Sequence, residues 1–243
     1  MRERLDTQLV ARGLAESREK AKRLILAGVV RVNGQTAGKP SDLIPESAKL
    51  EVEAPEKFVS RGGHKLEAAL AAFHIDCTGR VCADIGASTG GFTDCLLQRG
   101  ASRVHAVDVG KGQLDWKLRN DPRVIVHDKF NARQLRPADI GEPISLVTID
   151  VSFISLTKVL PAVVALLAPG SVIVALIKPQ FEAGKKFVSK GGVVRDSTVH
   201  ERVKADITTF ATGPLGLRAL GLVDSPLLGP AGNKEFLIGL VVP

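Results

Sequence analysis

Tyrosine is missing from these 243 residues, which hold one tryptophan (Trp116), one methionine and three cysteines. A protein so poor in aromatics has few flat faces to offer a ring-shaped ligand. Cys77, Cys82 and Cys95 are odd in number and never spaced as C-x-x-C. That argues against a disulfide framework or a cysteine zinc site and for a reducing compartment, with the thiols buried as small apolar groups. The five histidines show no ligand spacing, so no metal is expected. The start, Met1-Arg-Glu-Arg-Leu-Asp, is too charged for the apolar core of a secretory leader, and the chain reads as cytoplasmic.

A membrane span is also lacking. Val159–Ile177 has no charge between Lys158 and Lys178, but Pro161 and Ala168-Pro169-Gly170-Ser171 interrupt it. It reads as a helix, a turn and a buried strand over Val172–Ile177. What is present is ordinary globular material, 44% hydrophobic and 24% charged, long enough for one small and one medium domain. The net charge of +7 favours an anionic partner, nucleic acid first. No protein partner can be inferred.

The first domain is expected over residues 1–54. Leu5, Leu9, Val10 and Leu14 share a helical face ending at Gly13, and Ser17 caps a second helix closed by Gly28. Asn33-Gly34 then signals a hairpin, and Lys49-Leu-Glu-Val adds a further strand. Residues 1–59 hold 11 Lys/Arg against 9 Asp/Glu, so this part is not basic as a whole. Its positive charge is local: Arg18, Lys20, Lys22, Arg23 and Arg31, against Glu19 alone. By itself this stripe could be a solvated helix face. The order of elements resembles the S-four (alpha-L) RNA-binding domain, a small α+β unit. That resemblance implies that these five residues grip RNA phosphates.

A linker is expected at 55–59, punctuated by Pro55, and a second domain over 60–243. Strands read at Val81–Ile85, Val104–Val109, Val124–His127, Ser145–Asp150, Val172–Ile177, Arg218–Val223 and Phe236–Val242. The first five alternate with helical segments, which gives a parallel sheet covered on both faces. The last two, joined by a Pro/Gly-rich loop, suit an antiparallel edge pair. The expected class is α/β, and seven strands in this arrangement resemble the Rossmann-like sheet of the common methyltransferase fold.

Gly86-Ala-Ser-Thr-Gly-Gly follows the first of these strands. Gly86, Gly90 and Gly91 would let backbone pass close to a ligand, with Ser88 and Phe92 beside it. The spacing is not the G-x-G-x-x-G of dinucleotide binders. Asp84 could meet a ligand ammonium, and Asp108, 22 residues after Gly86, could bind ribose hydroxyls. Asp128 could lie near an adenine or merely cap a turn, and Phe92 could equally belong to the core. Fewer anion-binding amides and more carboxylates fit S-adenosylmethionine (SAM) better than NAD.

Asp150 and Lys178 end long apolar strand runs, Glu235 opens the last strand, and Lys65 precedes the first. Each alone could be an ordinary charge, but the fold could gather all four. The segments Ser60-Arg-Gly-Gly-His-Lys-Leu, Asp84-Ile-Gly-Ala-Ser-Thr-Gly-Gly-Phe-Thr, Asp150-Val-Ser-Phe-Ile-Ser-Leu, Lys178-Pro-Gln-Phe-Glu-Ala-Gly and Gly229-Pro-Ala-Gly-Asn-Lys-Glu resemble the TlyA family. That family is described both as haemolysins and as ribosomal RNA cytidine 2′-O-methyltransferases. The catalytic part also resembles the FtsJ ribose methyltransferases, whose Lys-Asp-Lys-Glu tetrad maps onto Lys65, Asp150, Lys178 and Glu235. The resemblance implies methyl transfer from SAM to a ribose 2′-OH of ribosomal RNA, free or in a subunit. Lys178 would be the base, Asp150 would position it, and Lys65 and Glu235 would complete the network.

The chain departs from the pattern at Lys111, where relatives often carry an aromatic, and in the linker. The scarcity of Tyr and Trp leaves little for stacking on a target base. Two other readings are a membrane-active haemolysin and an RNA-binding ribosome factor without activity.

Overall fold

The computed structural model describes residues 2–53 and 56–243; Ala54 and Pro55, part of the expected linker region, and Met1 lie outside the described residues. The chain divides into two compact units, Met1–Lys57 and Phe58–Pro243.

In the first unit, β1 (Arg2–Arg4) leads into α1 (Leu5–Ala11), and α2 spans Arg18–Leu26. The Ser17 hydroxyl accepts from the Lys20 amide and starts α2 as an N-cap. Then come β2 (Val30–Val32), β3 (Gln35–Thr36), β4 (Leu43–Pro45) and β5 (Leu50–Val52). Asn33 and Gly34 both take positive φ, 51° and 82°, and Val32 pairs with Gln35, so β2 and β3 form a tight two-residue hairpin. Leu5, Leu9, Ala21, Ile25, Val30 and Leu50 close a small core.

The second unit opens with α3 (Gly62–Ala72), β6 (Val81–Ile85), α4 (Gly91–Gln98) and β7 (Arg103–Val107). It continues with α5 (Trp116–Arg119), β8 (Val124–His127), α6 (Pro137–Ile140), β9 (Ile144–Ile149), α7 (Leu160–Val164) and β10 (Leu167–Ile177). α8 (Pro179–Glu182), α9 (Ser197–Thr212), β11 (Arg218–Asp224) and β12 (Phe236–Val241) complete it. The sheet order is β11-β12-β10-β9-β6-β7-β8. All neighbours are parallel except those of β12.

β11 and β12 form the expected antiparallel pair at one side of the sheet; β11 and β8 are the outer strands, and β12 is inserted between β10 and β11. The sequence of β12 explains its inner place: Phe236–Leu240 is buried throughout, which a doubly covered strand requires. One expectation needs correction: Pro169-Gly170 does not precede the strand. β10 begins at Leu167 and absorbs Ala168–Ser171 as a register shift before Val172. No described helix is long and apolar enough to cross a membrane.

Strand residues sort by parity. Ala83, Ile85, Val147, Ile149, Ile173 and Ala175 pack on the face covered by α7 and α9. Cys82, Leu146, Val174 and Leu176 pack on the face covered by α3 and α4. All three cysteines are free and buried, and burial pushes the Cys82 thiol up to about 12.

Candidate active site

Parallel strands deliver the residues that follow them to one edge of a sheet, and the crevice opens where strand order reverses. Here that point lies between β6 and β9, at Gly86 and Asp150. Asp108 follows β7, and Lys178 follows β10. Because β12 runs the opposite way, its beginning reaches the same edge: Phe236 is in register with Ile177, which places Glu235 beside Lys178. Lys65 joins them from the start of α3.

The four groups form two ion pairs. Lys65 Nζ is 2.6 Å from Glu235 Oε2, and Lys178 Nζ is 2.5 Å from Asp150 Oδ1. Lys178 also donates to Ser152 Oγ at 2.9 Å. Lys65, Lys178 and Glu235 are 8%, 9% and 2% exposed. An unpaired charge at such depth costs several kcal/mol, so each ammonium needs its carboxylate. Asp150 Oδ1 makes its contact as an ion pair outside hydrogen-bonding geometry, and Glu235 Oε1 is buried without a hydrogen bond among the described residues.

Two connected cavities flank this cluster. A narrow one of about 260 Å³ is lined by Ser60, Arg61, Lys65, Gly86, Asp150 and Lys178. A wider one of about 450 Å³ is lined by Asp108, Val109, Gln113, Phe130, Asn131 and Ile154. Gly86, Ser88, Asp150 and Ser152 border both. The wide end joins a carboxylate to apolar walls, and its size is normal for a cofactor site. The adenosine end of SAM fits there on chemical grounds: Asp108 can accept from ribose hydroxyls, and Val109, Phe130 and Ile154 can cover a base. Asp108 is fixed in place, its Oδ2 accepting from the Ser88 amide (2.8 Å) and its Oδ1 from the Gly110 amide (2.7 Å).

The glycines act differently from expectation. A Cβ on Gly86 would lie 2.4 Å from the Asp150 carbonyl oxygen, and one on Gly91 would lie 2.3 Å from Ser60 Oγ. One on Gly90 would strike Leu118 and Leu114. Their smallness therefore lets protein pack on protein, which brings β9, α3 and the segment before α5 against the loop. Gly86 and Gly91 still border the narrow cavity; Gly90 does not.

Of three further cofactor candidates, two lie away from these cavities. Asp84 does not face a cavity. It is fully buried, accepts from Thr93 Oγ1 (2.7 Å) and Thr148 Oγ1 (3.0 Å), and is pushed up to about 7 by burial. Asp128 borders neither cavity and instead holds Arg119 and the Gly112 amide. Phe92 is a core residue that also reaches the narrow cavity.

In the first unit, the basic stripe is partly neutralised. Arg18 meets buried Asp6 at 3.2 Å, Lys22 meets Glu19 at 2.8 Å, and Arg31 meets Glu53 at 2.9 Å. Lys20 and Arg23 are exposed and form no ion pair among the described residues.

Sequence reasoning missed several groups at the sheet edge. Ser152 holds Lys178, and Glu182 ties the loop after Asp150 to α8, which follows Lys178. Its carboxylate accepts from Ser155 Oγ (2.5 Å) and the Leu156 amide (2.8 Å), and burial raises its pKa. Phe153 is 90% exposed at positive φ and packs 5.0 Å from Phe181, while Trp116 is 78% exposed. These two rings reach solvent although tyrosine is absent and Trp116 is the one tryptophan.

Residues 58–241 match the FtsJ-like methyltransferase family, and residues 3–50 match the S4 domain. The 16S/23S rRNA (cytidine-2′-O)-methyltransferase TlyA of Mycobacterium tuberculosis is 50% identical over 98% of this chain and 90% of its own. Hemolysin A of Brachyspira hyodysenteriae is 42% identical over 98% and 100%. A solved structure from Streptococcus thermophilus, described with the word hemolysin, is 46% identical. It covers 99% of this chain and 88% of its own at a TM-score of 0.76. The fold is shared more widely, for instance with an O-methyltransferase of Bacillus cereus solved with SAH (20% identity, TM-score 0.51). With its sheet, its SAM-type loop and these matches over nearly its whole length, the chain belongs to the FtsJ-like methyltransferase family and carries an S4 domain ahead of the catalytic unit.

Proposed function

We propose that this enzyme methylates the 2′-OH of a cytidine in ribosomal RNA, working in the cytoplasm on free RNA or on a ribosomal subunit. The observation that carries this reading is the pairing of Lys178 with Asp150 and of Lys65 with Glu235 beside the narrow cavity. A ribose hydroxyl is a poor acid, so its oxygen must be oriented and its proton received during transfer. SAM, when bound, supplies an electrophilic methyl group on sulfonium. The ammonium of Lys178, held by Asp150 and Ser152 from the β9 side, gives up a proton to solvent before each turnover; as the free amine its Nζ then receives the hydroxyl proton. Lys65 adds positive charge near the oxygen, and Glu235 makes its burial tolerable. Asp108 and Ser88 fix the adenosine end, so that rate comes mainly from holding the two reactants in line. Phe153, exposed beside Ser152, offers the target base a face. Lys20 and Arg23 of the S4 domain are the cations most free to meet phosphate.

The test is incubation with labelled SAM and separated ribosomal subunits, followed by mapping of ribose methylation. Transfer should occur and fall at least about 100-fold in Lys178→Ala, with SAM binding kept. No transfer to any subunit or to naked ribosomal RNA, in a sample that binds SAM, overturns the proposal.

A further inference from the structure

We propose that Trp116 is a second stacking platform, taking an unpaired nucleotide of the RNA outside the reacting nucleoside, with Lys111, Lys117 and Lys129 on its phosphates. The proposal rests on the RNA reading above and adds a surface that reading does not use.

The exposure of Trp116 is imposed by its neighbours. Asp115 donates its amide to the Thr89 carbonyl at 3.1 Å, and its carboxylate caps α5 by accepting from the Lys117 amide at 2.8 Å. Leu118, 1% exposed, and Leu114, 7% exposed, are pressed against Gly90. With residues 114, 115 and 118 fixed on the glycine loop, Trp116 is left facing water at 78% exposure. It borders neither cavity, so the cofactor site does not account for it. Val109, 75% exposed and next to Asp108, is a second exposed apolar side chain, at the rim of the wide cavity.

The carboxylates near α5 are engaged, Asp121 by Arg123 and Asp115 by the Lys117 amide, which leaves lysines beside them unpaired. Lys111, Lys117 and Lys129 are exposed and form no ion pair among the described residues, and the Lys129 amide is tied to the Gly110 carbonyl at 2.9 Å. The nearby carboxylate of Asp128 is engaged by Arg119. One large flat ring next to Lys117, with Lys111 and Lys129 on the adjoining Gly110 and β8 loops, matches the chemistry of a nucleobase on its backbone: the ring accepts any base, and the cations follow the phosphates. Two exposed apolar side chains are too small a patch to hold a protein partner.

Trp116 is the only tryptophan and tyrosine is absent, so the intrinsic emission of the full chain reports on this side chain alone. A short single-stranded oligocytidylate RNA should quench it. An abasic oligomer of the same length should bind without quenching, and SAM alone should leave it unchanged. On ribosomal subunits, Trp116→Ala should raise KM about fivefold or more with kcat and SAM affinity kept, and Trp116→Phe should recover most of the loss. Quenching by SAM alone, unchanged emission at RNA saturation, or a KM for subunits unaltered in Trp116→Ala overturns the platform. If the wild type methylates RNA while Trp116→Ala matches it, only the platform fails. If the wild type neither binds nor methylates RNA, the underlying reading fails as well.

Discussion

Asp84 and Asp108 carry the same side chain at the ends of neighbouring parallel strands, yet they do different work. Asp108 faces the wide cavity and is held by two amides. Asp84 points into the protein and joins Thr93 of α4 to Thr148 of β9. Burial favours its neutral form, with a folded pKa of about 7 against 3.8 unfolded. Between those values the unfolded chain binds fewer protons than the folded one at this site. The sign therefore gives stability that falls as pH rises from about 4 to about 7 and is constant above. The loss is on the order of 4 kcal/mol at most, at 1.36 kcal/mol per pKa unit. Asp84→Asn keeps an acceptor for the threonines and cannot ionise. Its denaturation midpoint should be flatter across that pH window than the wild type's, and identical pH profiles would refute the argument. Strand-end position was legible in the sequence for both aspartates. Which way each side chain points was not, because a single residue of parity or twist decides it.

At the scale of elements, the glycine loop was recognisable from spacing, but its reason was not. Gly86 has φ of 85°, and its missing Cβ is the room that the Asp150 carbonyl occupies. Gly86→Ala should therefore displace the loop from β9, weaken SAM binding at least about tenfold by calorimetry and lower Tm. Gly79, with φ of 70° and nothing near its missing Cβ, is the control. Gly79→Ala should cost only about 1 kcal/mol of backbone strain and leave SAM affinity alone. Equal effects at the two sites would mean that φ, and not close approach, is what matters. The hairpin at Asn33-Gly34 and the cap at Ser17 were readable because their causes are local. The place of β12 was not, since strand order depends on partners remote in sequence.

On the scale of the whole molecule, each unit has its own core and its own sheets. Residues 58–243 alone should therefore bind SAM as the full chain does while methylating ribosomal RNA much less, as paired binding and transfer assays would show. Loss of SAM binding on separation would mean that the catalytic unit depends on the S4 domain for its fold. The sequence by itself determined the class of sheet, the two-part organisation, the glycine loop and the identity of the four charged groups. The first three follow from periodicity and turn chemistry; the four charged groups were singled out by resemblance to the FtsJ tetrad, and only Asp150 and Lys178 also end apolar runs. Tertiary structure alone decided that Lys178 pairs with Asp150 and Lys65 with Glu235, that Asp84 turns inward, and that Trp116 and Phe153 reach solvent. The physical reason is common to all three: contact and exposure depend on which strand lies beside which, and residues 170 positions apart become neighbours only when β12 runs back along β10.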